Sequence, residues 1–436
     1  MTLLTPRWTP LHYHPVQIAY RDSPHRFNVV PAGRRSGKTE RAKRKLVKNA
    51  LVGSDFDNAR FFAAAPTIAQ AKRIYWQDLK RLIPPSEMDG KPSETELIIR
   101  TSVGSEIHVL GMDKPERMEG SPWDGGVLDE YGNMKAGAWG ENVRPALADR
   151  NGWCDLIGVP EGRNHYYDVY QKAVAEMALR GSASEWGAFT WLSSSVLDAK
   201  EIEAAKRDLP PKVFQQEYEG AFVDFSGEEF FDIQKLLVDG LPVDDPVTCD
   251  AVFVVIDCAM KDGKEHDGVG AVYYAASEHA GHRLTILDWE LNQIQGADLE
   301  DWLPSVFRKL EAFTRKIKCR FGSLGAYVED ASAGSVLIQQ SVKRGWAAGP
   351  IDSDLTAMGK DSRAFSISGY VHQELIKISR RAWEKTSFFK EKEQNHLVRQ
   401  VADFRVGDPL AAKRADDLFD CFCYGPIIAL GNADGY

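Results

Sequence analysis

The chain has 436 residues, and single hydrophobic cores rarely grow beyond about 250–300 residues, so its length predicts two domains. Its 54 basic and 63 acidic residues give a formal net charge of −9, which excludes a global basic field that would attract nucleic acid or a membrane surface. The six cysteines form no CxxC pair and no apolar run approaches a membrane span, so we expect a cytosolic protein without a zinc site or a disulfide framework.

Residues 26–48 predict a strand, a phosphate-binding loop and a helix in direct succession. An apolar run that starts at Phe27 stops at Pro31, and the loop AGRRSGKT then leads into a helix rich in Lys, Arg, Ala and Leu. Ala32 stands where the usual pattern has glycine, so the match is to a variant loop. The alternative is a glycine-containing turn that enters a basic surface helix.

The residue types in this loop indicate nucleotide binding. Backbone N–H groups from Gly33 to Lys38 would surround an anion at a helix N-terminus. The Lys38 side chain would reach the β- and γ-phosphates, and the Thr39 hydroxyl would bind Mg²⁺. Upstream, Gln17 is a candidate for contacting the adenine edge, the alternative being a solvated glutamine.

The pattern continues with alternating strands and helices. The next predicted elements are a strand at residues 60–66, a helix at 67–82, a hairpin at 97–111 with its turn at Gly104, and a short strand within 123–134. That last strand ends in Asp129 and Glu130. In a nucleotide motor the first acid binds Mg²⁺ and the second polarises the attacking water, whereas the alternative is an ordinary acidic turn.

The first domain then closes and a second one begins. Residues 153–160 predict a strand, and the loop that follows it would sense the γ-phosphate. Residues 197–222 predict two helices separated by a Pro-Pro break, and the domain boundary falls within 220–250. Further elements are antiparallel strands at 251–256, 269–274 and 283–290, a helix at 298–318, a strand at 325–328, and helices at 333–343 and 413–424.

Five aspartates of the second half follow strands or lie on a helix. Asp257 and Asp330 follow predicted strands, and Asp416, Asp417 and Asp420 lie on the last predicted helix at spacings that place at least two on one face. Such an oxygen-rich pocket suits two Mg²⁺ or Mn²⁺ ions that activate water at a phosphodiester. The alternative is that these acids cap helices and lie on the surface.

Two stretches are locally basic despite the acidic total. Residues 34–48 carry eight basic residues and one acid, and residues 308–320 carry six basic residues and one acid. Each is either a contact for a polyanion or a solvated helix face.

Seven motifs occur in a characteristic order: AGRRSGKT, APTIAQAK, LDE, FQQEYEGAFVD, the strand-end Asp257, VEDASAG and ADDLFD. In this order and spacing the chain resembles, over nearly its whole length, the large terminase subunit of tailed bacteriophages. The resemblance implies an α/β protein with an N-terminal P-loop ATPase of the ASCE type, built on a mainly parallel sheet, and a C-terminal RNase H-like nuclease with a mixed sheet. The implied domains are an ATPase motor at 1–222 with a small linking subdomain near its end, a linker at 223–248 and a nuclease at 249–436.

The resemblance also implies roles for individual residues. The implied nucleotide-binding residues are Gln17, Gly33, Arg34, Ser36, Gly37, Lys38, Thr39 and Asp129, and the implied ATPase catalytic residues are Lys38, Arg35 and Glu130. The implied nuclease residues are Asp257, Asp330 and Asp417, with Asp416, Asp420 and Asp267 as additional metal ligands. The residues left open for stabilising transition-state charge, in cis or from a neighbouring subunit, are Arg34, Arg35, Arg117 and Arg144.

The implied function is a viral DNA-packaging motor in which ATP hydrolysis drives DNA into the procapsid and a two-metal endonuclease cuts concatemeric DNA. The implied cofactors are ATP and Mg²⁺, with Mn²⁺ as an alternative at the nuclease site. Expected partners are double-stranded DNA, the portal protein, the small terminase subunit and further copies of the chain in a ring. We expect a monomer in solution, no association with a membrane, and a location in the host cytoplasm. Two rival hypotheses are a helicase-nuclease of repair or transposition, and an ATP-switched DNA-binding scaffold without nuclease activity.

Overall fold

The computed structural model describes residues 14–225, 229–258, 268–278, 280–293, 299–329, 333–408 and 416–431. The chain divides into two units, one formed by Met1–Lys206 with Pro211–Asp224 and the other by Arg207–Pro210 with Phe225–Tyr436. Both are α/β, and each is described by itself below.

The first unit is built around a seven-stranded sheet with the strand order β3-β4-β2-β5-β6-β1-β7. Its strands are β1 (Phe27–Pro31), β2 (Arg60–Ala65), β3 (Ile98–Arg100), β4 (Glu106–Gly111), β5 (Gly125–Asp129), β6 (Trp153–Gly158) and β7 (Trp186–Ala188). Its helices are α1 (Pro15–Arg21), α2 (Lys38–Val52), α3 (Ile68–Ala71), α4 (Gln77–Leu82), α5 (Arg144–Ala146), α6 (His165–Arg180), α7 (Ala199–Asp208, which ends in the second unit) and α8 (Pro211–Glu219). The strands and the hairpin predicted in this half are confirmed.

Parallel pairing in this sheet brings several loops to one edge. All neighbouring strands are parallel except β3 and β4, and β6 lies between β1 and β5. Every residue of β1 and β5 is buried, as expected for central strands covered on both faces. The carboxyl ends of β1, β5 and β6 therefore lie side by side, and ligands of open parallel sheets bind at this edge.

Two glycines occupy β5 where longer residues are usual, and neighbouring rings explain them. A Cβ added at Gly125 would lie 2.2 Å from the Trp153 indole, and one at Gly126 would lie 2.4 Å from the Phe62 ring. The side chains of the flanking strands thus cover β5 directly. The short apolar run before Asp129 reflects this close packing.

A buried ionic network ties α1 and α2 to the sheet. Asp155 of β6 is 0% exposed and accepts hydrogen bonds from Tyr20 Oη (2.5 Å) and Asn28 Nδ2 (2.9 Å). Lys45 Nζ lies 2.7 Å from Asp155 Oδ1 and 4.1 Å from the centre of the Trp153 ring. These contacts fix the helix that starts at Lys38 against the strand between β1 and β5.

The second unit contains a six-stranded mixed sheet with the order β14-β13-β9-β10-β11-β15. Its strands are β8 (Thr248–Cys249), β9 (Ala251–Asp257), β10 (Val269–Ala276), β11 (Leu284–Asn292), β12 (Lys318–Cys319), β13 (Ser323–Val328), β14 (Ala348–Pro350), β15 (Ile376–Ile378), β16 (Ser387–Phe389) and β17 (Lys392–Gln394). Its helices are α9 (Leu299–Lys316), α10 (Ala333–Lys343), α11 (Ser353–Thr356), α12 (Lys360–His372), α13 (Arg380–Glu384), α14 (His396–Ala402) and α15 (Asp417–Leu430).

The register of this sheet confirms the predicted antiparallel meander of β9, β10 and β11. On the other side of β9, strand β13 is parallel to it, with Val328 opposite Ile256. The apolar side of α15 packs with Phe253, Val255 and other residues of one sheet face, whereas α9 packs on the opposite face. The last helix is thereby held next to the carboxyl ends of β9 and β13.

An ionic cluster lies on β11 and is formed by acids other than the aspartates predicted to bind metal. Asp288 is buried and lies 2.9 Å from Lys385 Nζ and 2.5 Å from Lys309 Nζ. Burial would raise the pKa of Asp288, but the two ammonium groups outweigh it and hold the pKa below its ordinary value. Lys309 also pairs with Glu290, so α9 is joined to β11 by charge as well as by packing.

The six cysteines are free thiols. Cys249 and Cys319 face each other across the parallel pair β8 and β12, with their sulfurs 3.2 Å apart. Within the ranges that the structure describes, no helix combines the length and the apolar character that a bilayer crossing requires.

Candidate nucleotide and metal sites

The loop between β1 and α2 is shaped by close backbone approaches. A Cβ added at Gly33 would lie 2.3 Å from Ser193 Oγ and 2.4 Å from the Tyr218 carbonyl oxygen. Gly37 has φ +84°, which favours glycine, and it directly precedes α2. A Cβ added at Gly220 would lie 2.9 Å from Ala32 Cα. Ala32, which stands where the usual loop has glycine, therefore packs closely against a glycine of the segment FQQEYEGAFVD.

Several side chains converge on this loop. Lys38 is buried, and its Nζ donates to the carbonyl oxygens of Ala32 (2.7 Å) and Gly33 (2.8 Å). Burial lowers the pKa of Lys38 to about 8, against the opposing effect of Glu130 and Asp129. The ammonium group therefore lies inside the loop, where it would meet a bound phosphate.

Ser36 is the second contact point of the loop. Its carbonyl oxygen accepts hydrogen bonds from Gln17 Nε2 (2.8 Å) and Trp191 Nε1 (3.0 Å). Its hydroxyl oxygen is buried and has no hydrogen-bond partner among the residues that the structure describes. A buried hydroxyl without a partner is costly, and a phosphate oxygen in the loop would satisfy it. The loop thus fits a nucleotide, and Gln17 is positioned against it.

The acidic end of β5 meets the start of α2. Thr39 Oγ1 and Tyr75 Oη both donate to Asp129 Oδ2, each at 2.9 Å. Asp129 is only 1% exposed, and burial followed by the charge of Glu130 raises its pKa to about 6. Glu130 has φ +54°, a strained backbone conformation of the kind found at functional sites. Buried carboxylate and hydroxyl oxygens in contact are a donor set that suits Mg²⁺.

In the second unit, strand register brings two acids together. Asp257 ends β9 and is 3% exposed. Glu329 follows β13, its N–H donates to the Ile256 carbonyl oxygen (3.0 Å), and its carboxyl group shares a hydrogen bond with Asp257. Burial and then the charge of Asp420 raise the pKa of Glu329. Asp267 and Asp330, both predicted from sequence, lie outside the described residues.

Helix α15 adds its own carboxylates to this group. Asp417 and Asp420 are buried in its first turn, and a Cβ added at Gly270, the register partner of Asp257, would lie 3.0 Å from Asp417 Cβ. Asp420 is 2.6 Å from Arg363 Nη2, so a buried guanidinium neutralises it.

Lys360 contributes a second cation to the acidic group. It pairs with Asp416 and lies 3.3 Å from Asp420. Among the described residues, no group of three or more His, Cys, Asp or Glu side chains is arranged to hold a metal ion. The carboxylate oxygens nevertheless have the hard character that Mg²⁺ and Mn²⁺ require.

Comparisons with known proteins give the same picture from sequence. Residues 30–238 match the family model "Terminase large subunit, T4likevirus-type, N-terminal". Close to half of the chain is therefore similar to the N-terminal part of large terminase subunits. The chain is 24% identical over 258 residues to the large terminase subunit of Thermus phage G20c, and this alignment covers 52% of each chain. It is 26% identical over 219 residues to the large terminase subunit of Escherichia phage T5, and this alignment covers 49% of this chain and 47% of the relative. The chain thus spans about half the length of these curated relatives.

A solved structure shows that the fold of a large terminase extends over both units. The crystal structure of the large terminase from a thermophilic bacteriophage matches with a TM-score of 0.67 at 14% sequence identity, covering 97% of this chain and 100% of that one. Both units accordingly share the fold of a large terminase, the first with a mainly parallel sheet and the second with a mixed sheet. The predicted fold class is confirmed.

The arginines that the terminase resemblance left open occupy different places. Arg34 donates its backbone N–H to the Glu217 carbonyl oxygen (2.6 Å) and pairs with the Glu217 carboxylate, whereas Arg35 is exposed with φ +52°. Arg117 is also exposed. Arg144 lies 5.8 Å from the centre of the ring of Phe27, which starts β1, whereas the loop follows the end of that strand.

The basic stretch at residues 34–48 differs from both sequence interpretations. Arg41 and Lys43 are buried, Lys43 pairs with Asp78 and Glu40, and Lys45 pairs with buried Asp155. Most basic residues of α2 therefore face acids of their own unit, and they form neither a solvated face nor a continuous surface for a polyanion.

Proposed function

We propose that this chain is a viral DNA-packaging motor that hydrolyses ATP to move double-stranded DNA into a procapsid, and that its second unit is a two-metal endonuclease that cuts concatemeric DNA. The observation that carries the proposal is the hydrogen bond between Thr39 and Asp129 beside Lys38, because this triad is the arrangement that nucleotide and Mg²⁺ require. The large terminase of the thermophilic bacteriophage supports it, since its solved structures include complexes with ADP and with ATP-γ-S.

In the proposed ATPase cycle the loop binds the phosphates and Lys38 neutralises their charge. Thr39 and Asp129 would hold Mg²⁺, which when bound neutralises negative charge on the β- and γ-phosphates. Glu130 is the proposed base that orients the attacking water, and Gln17 is the proposed contact for adenine. Gly33, Ser36 and Gly37 shape the loop.

Two arginines are proposed to act on the transferred phosphoryl group. Arg35 is the proposed catalytic arginine because it is exposed at the tip of the loop, whereas Arg34 is a proposed nucleotide contact that is held by Glu217. Either guanidinium would stabilise the charge that spreads over the phosphoryl oxygens in the transition state.

In the proposed nuclease, Asp257, Asp330 and Asp417 are the metal ligands, and Asp416, Asp420 and Asp267 are additional ones. The geometry adds Glu329, because it shares a hydrogen bond with Asp257. Two divalent ions, when bound, would activate a water and stabilise the leaving oxygen of a phosphodiester. Contacts to DNA phosphates carry no sequence information, so a translocating motor can use them at every step.

The proposed domains are an ATPase motor at 1–222, a linker at 223–248 and a nuclease at 249–436. The proposed partners are double-stranded DNA, the portal protein of the procapsid, the small terminase subunit and further copies of the chain in a ring. The chain would act in the host cytoplasm and be a monomer before it docks.

The test separates the two activities in the full-length protein. Supercoiled plasmid is incubated with Mg²⁺ or Mn²⁺, and ATP hydrolysis is measured in parallel, for wild type, Lys38→Ala and Asp257→Ala. The exposed residues Lys48 and Asp354 provide matched alanine controls. We expect Lys38→Ala to lose ATP hydrolysis but still nick, and Asp257→Ala to lose cleavage but keep hydrolysis. A wild type that never cuts with either metal would refute the nuclease assignment.

A further inference from the structure

Tyr75 contacts the proposed Mg²⁺ ligand from a part of the chain to which no role has been assigned. Its hydroxyl donates to Asp129 Oδ2 at 2.9 Å, the same oxygen that accepts from Thr39. We propose that Tyr75 is a positioning residue of the ATPase, which holds the Asp129 carboxylate in the orientation that Mg²⁺–nucleotide binding requires. This inference rests on the proposed function of the nucleotide site.

The local structure around Tyr75 is irregular in a way that aims its hydroxyl. Helix α3 begins after β2 with a capping box formed by Thr67 and Gln70, and residues Lys72–Trp76 then form a π-helical turn before α4. Such turns redirect a side chain within a helix and are frequent at functional sites. Because β2 pairs directly with β5, this turn lies next to the strand that ends in Asp129.

Neighbouring contacts anchor the turn on both sides. Trp76 Nε1 donates to Glu94 (2.6 Å), and Lys43 of α2 pairs with Asp78 (2.8 Å). Tyr75 itself is fully buried in the core of the first unit. A ring held in this way loses little additional freedom when its hydroxyl orders a carboxylate.

The chemistry explains why such a bond matters. Asp129 is buried beside Glu130, and a carboxylate that is free to rotate in this position would have to be reordered each time Mg²⁺ binds. The bonds from Tyr75 and Thr39 both end on Oδ2, so together they fix the plane of the carboxylate and the direction of Oδ1. Partners of this kind typically change metal affinity or activity by about 10- to 100-fold when they are removed.

The test uses full-length protein and the substitution Tyr75→Phe, which removes the hydroxyl and keeps the ring. A fluorescent ADP analogue is titrated at a series of Mg²⁺ concentrations and in EDTA. We expect the Mg²⁺ concentration for half-maximal binding to rise about 10-fold, with affinity in EDTA unchanged. In steady-state assays kcat should fall while KM for ATP changes little.

Tyr20→Phe is the matched control, because it also removes a hydrogen bond from a buried tyrosine to a buried aspartate, Asp155, in the same unit. It should leave the Mg²⁺ requirement as in wild type. If Tyr75→Phe needs no more Mg²⁺ than wild type, or if both variants shift it equally, the positioning role is refuted. A wild type that binds no nucleotide would instead overturn the proposed function, and this inference with it.

Discussion

The buried carboxylate of Asp155 allows a quantitative test of what holds the nucleotide-binding helix on its sheet. In Asp155→Ala, Tyr20 and Asn28 would each lose a buried acceptor, at about 1–3 kcal/mol apiece. Lys45 would lose its partner at a smaller cost, because its side chain is 32% exposed and water can solvate it. The first two losses sum to about 2–6 kcal/mol. We take about 3–5 kcal/mol, the range found when one partner of a buried ion pair is removed.

Differential scanning calorimetry of the full-length protein measures this loss. For a unit of this size each kcal/mol lowers Tm by about 2–4 °C, so the transition of the first unit should fall by about 6–20 °C. Saturating Mg²⁺–ADP identifies that transition, because a bound ligand raises it. Asp155→Asn, which keeps an acceptor oxygen, should lose less, and the exposed control Asp89→Ala should change stability by less than about 0.5 kcal/mol. A fall below about 2 °C in Asp155→Ala would refute the reasoning.

Three further predictions follow from packing, charge and thiol geometry. Gly126→Ala should destabilise the first unit by about 1–3 kcal/mol in the same calorimetric assay, because its Cβ would lie 2.4 Å from the Phe62 ring, and an unchanged Tm would contradict this. The folded-state pKa of Asp288 lies below its ordinary 3.8, so its ion pairs stabilise the protein above that pH and are lost as the pH falls through the lower folded value. Asp288→Asn should therefore unfold at a lower urea concentration than wild type at about pH 7, and this difference should shrink toward about pH 3. A difference that stays constant with pH would contradict the prediction. A mild thiol oxidant such as diamide should form a disulfide between Cys249 and Cys319, because their sulfurs are 3.2 Å apart. Mass spectrometry of the intact protein should then show the loss of two hydrogens, and Cys249→Ser should show no such loss.

Much of the fold could be predicted because its signals are local. The apolar runs at residues 27–30 and 251–256 are β-prone and bounded by polar or glycine-containing segments, and both are strands in the structure. The loop AGRRSGKT follows the first of these runs directly, so the order strand, loop, helix is written in consecutive residues. The pair Asp129 and Glu130 could be predicted for the same reason, since it directly follows a strand.

Other features of the site depend on how distant segments pack. Glu329 precedes Asp330, and the sequence offered no reason to prefer it. The register of β13 on β9 places it beside Asp257. The basic residues of α2 looked solvent-facing because their acidic partners, Asp78 and Asp155, are far away in sequence.

The sequence by itself determined many of the strands and helices, the phosphate loop and the acids that end the strands. These follow from apolar periodicity, glycine placement and the short reach of backbone geometry. Only the tertiary structure decided which side chains meet: Tyr75 with Asp129, Gln17 with Ser36, and Glu329 with Asp257. Each of these contacts depends on strand register and helix packing, which are set by residues far apart in the chain.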